Sequence, residues 1–363
     1  MSTKSNSDGR NSTHVAVHDS NDDTAATMEC SDIEGNYAFM PIKHVDSNMI
    51  QKSFMVQNKT FNPSDYQMLY DELKRRWNNA LSTLLLMHSQ NYDSSNKNSN
   101  NWDGDDTTNS WFDKLYNQHN EDGRYYHTTM HLKEMLDYID VFMMSATADD
   151  TQSNEGHVKL DGQQRIKPLT ASILTLATFF HDAVYDPKST TNEKDSAILF
   201  QQFCSEWTAS VVSSVTPAPH NPVIVPAVQE VIVTYILATE KHKVIPITLP
   251  NNNNAGDEEE TILTWTVEEV STLHSYQELF LDIDMSVLGK TVDAYMSYAN
   301  CIRKEYSFVD HDIYCEKRAI ILQSFLNNNT HIYLTNAMRD TLEQNARSNL
   351  QQEINLLKEK KIP

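Results

Sequence analysis

Glycine is scarce, with 8 in 363 residues, and no glycine-rich phosphate loop appears. Cysteine is rarer still. Cys30, Cys204, Cys301 and Cys315 form no C-x-x-C pair, which excludes a dense disulfide framework and fits reduced thiols. Basic residues are in deficit: 29 Lys and Arg against 50 Asp and Glu give a net charge of −21. A field of that sign repels nucleic-acid polymers and anionic membrane surfaces. An anionic substrate would need a local basic pocket or a metal ion. Long apolar runs are missing too. The most apolar stretch, "VIVPAVQEVIVTYILAT", is interrupted by Pro226, Gln229 and Glu230, so it reads as a buried helix rather than a membrane span. The first 30 residues contain no apolar segment of the secretory type and little arginine, so the expected location is cytoplasmic.

Strand-like alternation is absent except in "HKVIPITL", whereas helical periodicity recurs. Tyr66, Leu69, Tyr70, Leu73, Trp77, Leu81 and Leu84 share one face of a first helix, with Asn62 as its cap and Pro63 in its first turn. "RYYHTTMHLKEMLDYIDVFMM" reads as a second helix, facing inward through His131, Met135, Ile139 and Phe142. Further helices end at His181–Asp182, at about Lys241, and at Gly289. Three more cover 291–307, 312–327 and 337–360. The expectation is an all-α fold: a disordered acidic and polar tail over 1–59, then a helical domain over 60–363. Polar loop insertions fall at about 94–110, 146–166, 208–222 and 243–266.

Within that helical frame, titratable residues sit where apolar ones are expected. His181 and Asp182 follow directly on "LATFF", and burying such groups costs several kcal/mol unless something pairs with them. His127 and His131, four apart, would share one helix face. His242 lies just past the end of "VIVTYILATEK", and Asp282 and Asp284 lie on the helix before Gly289. Imidazole and carboxylate together suit Mn, Fe, Co, Ni or Zn, while mostly-oxygen sites suit Mg. A cation would supply the missing partner. Each signal has a plainer reading alone: a hydrogen-bonded core histidine, a solvated D-x-D edge, a helix-terminal histidine favoured by the dipole.

Taken in chain order, the pattern resembles the H…HD…D signature of the HD-domain superfamily of metal-dependent phosphohydrolases. It is most similar to a bacterial-type family of predicted HD phosphohydrolases. The resemblance is carried by "RYYHTTMHLKEML", "ATFFHDAVYDPKSTTNEKDSA", "ILATEKH", "FLDIDMSVLG", "YANCIRKEYSFV", "KRAIILQSFL" and "ARSNLQQEINLL", from about 112 to 357. It implies an HD-domain-like helical bundle in which His131, His181, Asp182 and Asp284 ligate one or two divalent ions. Asp282 is the alternative to Asp284, and His127 to His131. His242 is a further candidate, as ligand of a second ion or as a phosphate contact. Asp186 matches the acidic position after HD in guanosine-tetraphosphate hydrolases. There it would position or deprotonate the attacking water; its competing reading is a turn residue before Pro187. Glu193 reads as a cap of the next helix.

Phosphate chemistry needs cationic groups around the oxyanions. Arg124 and Lys241 are the candidates nearest the motifs. Arg303, Arg318 and Arg347 are weaker ones, since Glu305 and Glu316 offer local ion-pair partners. The expected activity is hydrolysis of a phosphoester or phosphoanhydride in a nucleotide or other small phosphorylated metabolite. Neither a nucleic-acid polymer nor a membrane is an expected partner. The rivals are an HD-type di-iron oxygenase, a non-catalytic metal or nucleotide sensor, and a plain helical interaction protein.

Overall fold

The computed structural model describes residues 63–88, 103–148, 161–214, 223–247, 265–328 and 330–362. The expected tail over 1–59 and much of each expected insertion lie outside them. The described residues form ten α-helices in one compact unit, and no strand occurs among them. The helices are α1 (Pro63–His88), α2 (Asp106–Gln118), α3 (Thr129–Ala148), α4 (Asp161–Phe180), α5 (Asn192–Ser214) and α6 (Pro226–Ala238). They continue as α7 (Val267–Asp284), a 3₁₀ turn over Met285–Gly289, α8 (Val292–Glu305), α9 (His311–Asn328) and α10 (Asn336–Lys358). No described helix is long and apolar enough to cross a membrane.

The central helix is α4, which packs against α1, α3, α5, α6 and α7. Its residues Leu169, Ile173, Leu174, Leu176, Ala177, Phe179 and Phe180 are all buried. Its hydroxyls survive burial by bonding back along the helix: Thr170, Ser172, Thr175 and Thr178 each donate to the carbonyl four residues earlier. An aromatic cluster closes one side. Trp77 meets Phe179 at 5.3 Å and Phe203 at 5.2 Å, and Trp111 meets Phe203 at 5.7 Å. Each indole N–H finds an acceptor: Trp77 the Thr108 carbonyl, Trp111 the Glu206 carboxylate, Trp207 the Asp105 carboxylate.

Two local expectations change. The tract "DGDDTTNS", read as loop, contains the start of α2. Asp105 accepts from the Thr108 amide while the Thr108 hydroxyl accepts from the Asp105 amide, a reciprocal cap assembled entirely from polar residues. The second predicted helix starts later than expected, at Thr129, so His127 precedes α3 instead of sharing its face with His131. The 243–247 part of "HKVIPITL" is not a strand. It lies along α7, where Gln277 accepts from the Ile245 amide and His274 from the Ile247 amide.

At the other end, α10 packs on α9 and on the 3₁₀ turn. Gly289 is required there by space alone, because an added Cβ would lie 2.4 Å from Leu342 Cβ and 2.8 Å from its carbonyl. The next residue, Lys290, is buried and ion-paired to Glu134 of α3, tying this end of the molecule to the helix that begins beside His131.

Candidate metal centre

Four chain segments converge on one point. His131 comes from the first turn of α3, and His181 and Asp182 follow the last residue of α4. Asp284 is the last residue of α7, and His242 lies in the turn after α6. His131, His181 and Asp182 each present a donor atom within 4.8 Å of the others. Asp284 Oδ1 lies 3.1 Å from His131 Nε2 and 3.7 Å from His181 Nε2. Two donors held about 2.0–2.2 Å from one ion can be no more than about 4.4 Å apart, and the two Asp284 spacings lie inside that limit.

The orientation of His181 is the most specific feature. Because α4 ends at Phe180, the carbonyl of Thr178 has no helical partner, and it accepts from His181 Nδ1 at 2.8 Å. That bond turns Nε2 toward the cluster. Nε2 is buried and makes no hydrogen bond, although Asp182 Oδ2 is only 3.0 Å away. Close donors that do not aim at each other, but share a common focus, are what a metal site requires. A second polar atom on the imidazole tied to a carbonyl is the usual way a ligating ring is oriented.

The electrostatics agree. Burial opposes a charge on His181, but Asp182 and Asp284 outweigh it and raise the imidazole to about 9. Burial likewise opposes ionisation of Asp182 and Asp284, yet the surrounding histidines hold both below the usual carboxylate range. The same carboxylates would attract a cation, which must displace the imidazole proton to coordinate Nε2.

His242 completes the cluster in an unusual way. Its amide donates to the Thr239 carbonyl and that of Lys243 to the Ala238 carbonyl, the bond pair of a Schellman helix ending. His242 therefore occupies the position where glycine is favoured, and its φ is 47°. The strained backbone delivers Nε2 to 3.0 Å from Asp284 Oδ2.

The alternative aspartate is placed elsewhere. Asp282 turns toward α10, where it accepts from the Leu334 amide, the Thr335 amide and the Thr335 hydroxyl. Burial raises its carboxyl to about 6 despite those bonds. Asp186 is exposed and accepts from the Lys188 amide at 2.9 Å, closing the turn around Pro187. No bond joins it to the cluster. Glu193 lies in the first turn of α5, after Thr191, whose hydroxyl bonds Asp195. Both end nitrogens of Arg124 are taken by backbone carbonyls, of Asp182 at 2.7 Å, Ala183 at 2.9 Å and His127 at 3.3 Å. Arg124 thus braces the His181–Asp182 turn. Lys241 is exposed beside His242.

The ion pairs expected of Arg303 with Glu305 and of Arg318 with Glu316 do not form, whereas Arg347 makes a local one. Arg303 donates to the Tyr306 and Val309 carbonyls, Arg318 pairs with Glu353 at 3.0 Å, and Arg347 pairs with Glu343 at 2.7 Å. Glu305 is thereby free to cross the molecule. Its buried side chain accepts from the amides of Tyr125, Tyr126 and His127, from the Tyr185 hydroxyl at 2.8 Å, and from His127 Nδ1 at 2.8 Å. Burial works against its charge, but the His127 bond and the amides hold its carboxyl at about 2. Sequence reading missed this residue because its partners lie 120 to 180 positions away. It also missed His119, a buried histidine at the end of α2 that bonds the Phe179 carbonyl. Burial, together with the charges of Arg124 and His181, lowers it to about 3 and keeps it neutral.

No family model matches this chain, and no curated protein or solved structure matches it either.

Proposed function

We propose that this protein is a metal-dependent hydrolase of phosphoester or phosphoanhydride bonds in a nucleotide or another small phosphorylated metabolite. The observation that carries this reading is the buried Nε2 of His181, which makes no aligned hydrogen bond and faces Asp182 at 3.0 Å and Asp284 at 3.7 Å, with His131 in the same cluster. His131, His181, Asp182 and Asp284 would hold the ion, with His242 on the outer oxygen of Asp284. The order of these residues along the chain, and the resemblance it carries to HD-type phosphohydrolases, selects the reaction class from among the chemistries such a donor set permits.

A divalent ion there would supply a water with a pKa lowered toward ~7 and a positive charge against the phosphoryl oxygens. The chain's own residues divide the remaining work. Thr178 fixes the tautomer of His181 through its carbonyl. Arg124 holds the carbonyls of Asp182 and Ala183, so the turn presents its carboxylate rigidly. The net charge of −21 makes an ion the natural means of admitting an anionic substrate.

The test is metal analysis of the full-length protein against Asp182→Ala, followed by a hydrolysis panel of nucleotides and phosphorylated metabolites across Mg, Mn, Fe, Co, Ni and Zn. Retained metal with metal-dependent phosphate release supports the reading. Retained metal with no phosphate released from any substrate rejects it. A spectroscopic signature of coupled iron in anaerobically purified protein would select the oxygenase instead.

A further inference from the structure

We propose that His127, held in place by Glu305, is the side chain that donates a hydrogen bond to a phosphoryl oxygen of the substrate at the His/Asp cluster; this rests on the phosphohydrolase reading. A phosphate dianion bound beside Asp182 and Asp284 needs donors as well as a cation. The arginine nearest the motif does not provide them, because both end nitrogens of Arg124 are committed to carbonyls. His127 is placed for the task. It sits in the 124–128 segment between α2 and α3, with its ring centroid 6.2 Å from that of His131.

Glu305 explains how the ring is held. Its side chain is fully buried, yet five donors converge on it, three of them backbone amides of 125–127. A carboxylate so saturated stays ionised, and a buried anion against Nδ1 favours an imidazolium. Tyr185 packs on the other side, its ring 4.3 Å from His127 and its hydroxyl on the same carboxylate oxygen. With Nδ1 on Glu305, the opposite ring nitrogen points away from that carboxylate and has no hydrogen-bond partner among the described residues. The His127 side chain is 20% exposed, whereas that of His181 is 1% exposed. His127 does not belong to the group of mutually close donors formed by His131, His181 and Asp182. Glu305 acts here as a positioning residue.

The experiment titrates inorganic phosphate into the Mn-loaded full-length protein by calorimetry, with metal content measured on the same samples. His127→Gln is expected to keep its metal and weaken phosphate binding by at least about ten-fold, the effect of losing a charged hydrogen bond. Glu305→Gln is expected to weaken phosphate less, and to shift to lower pH the point at which phosphate affinity falls away, which a purely structural anchor would not do. Tyr185→Phe, which frees the oxygen that His127 Nδ1 shares, serves where Glu305→Gln does not fold, and should shift the profile in the opposite direction, to higher pH. Wild-type phosphate affinity in His127→Gln overturns the proposal. So does loss of metal in that variant, which would make His127 a ligand. A wild-type protein that holds its metal but binds no phosphate would bring down the phosphohydrolase reading, and this inference with it.

Discussion

His242 reaches Asp284 from a backbone conformation that a histidine adopts at a cost: φ is 47°, and Nε2 stands 3.0 Å from Oδ2. Glycine at that helix ending would relieve roughly 1–2 kcal/mol of left-handed strain. Keeping an imidazole there is intelligible if the side chain is needed. His242→Ala and His242→Gly should therefore impair metal retention or turnover equally. In thermal melts of metal-free protein, the glycine variant should be the more stable of the two by about 1 kcal/mol. Equal stability of the two would show that the backbone strain is not real.

The two aspartates of "LDID" should separate cleanly. Asp284→Ala should abolish metal binding. Asp282→Ala should leave metal content intact but orphan the amides of Leu334 and Thr335, costing about 1–3 kcal/mol for each buried donor left unpaired. Chemical denaturation and metal analysis of both variants decide the assignment.

A bound ion should stabilise the fold by mass action. At a concentration about 100 times its dissociation constant, the gain is about 2.7 kcal/mol. A melting experiment with the tightest-binding divalent metal should show a shift of several degrees in wild type and none in Asp182→Ala.

Acid should unfold the protein in two stages, and the sign follows from two depressed groups. His119 is lowered to about 3, so the unfolded chain takes up its proton first, and stability falls as pH drops from about 6.5 toward 3. Glu305 is lowered to about 2, so its contribution is complete above about 4.3 and is lost as pH falls through 2. His119→Gln should flatten the first stage and leave the second. Denaturant midpoints measured from pH 7 to pH 2 test this, and an unchanged slope between pH 6.5 and 4 would contradict it.

Gly289→Ala should be costly although alanine favours helices. The new methyl would meet Leu342 at 2.4 Å, and overpacking of this kind costs about 1–3 kcal/mol. The loss should be visible in a melt and should be eased by pairing the change with Leu342→Ala.

The sequence by itself determined the helical class and named the residues that meet at the His/Asp cluster. Apolar spacing of 3.6 residues is a local property, and so is the break it shows at His181–Asp182, at His242 and at Asp284. Each of these residues could be found because it sits at the edge of an apolar helix where a polar group is out of place. What the sequence could not express was direction. Asp282 and Asp284 are two residues apart and equally acidic, but one caps the start of α10 and the other faces His131, because the end of α7 rotates their side chains apart. Only packing decided that Arg124 would be spent on carbonyls. Only packing, again, carried Glu305 across nearly half the chain to His127. Short-range pattern fixes which residues a helix offers; the energy of burying a charge fixes where its partner must come from, and that partner is under no obligation to be near in sequence.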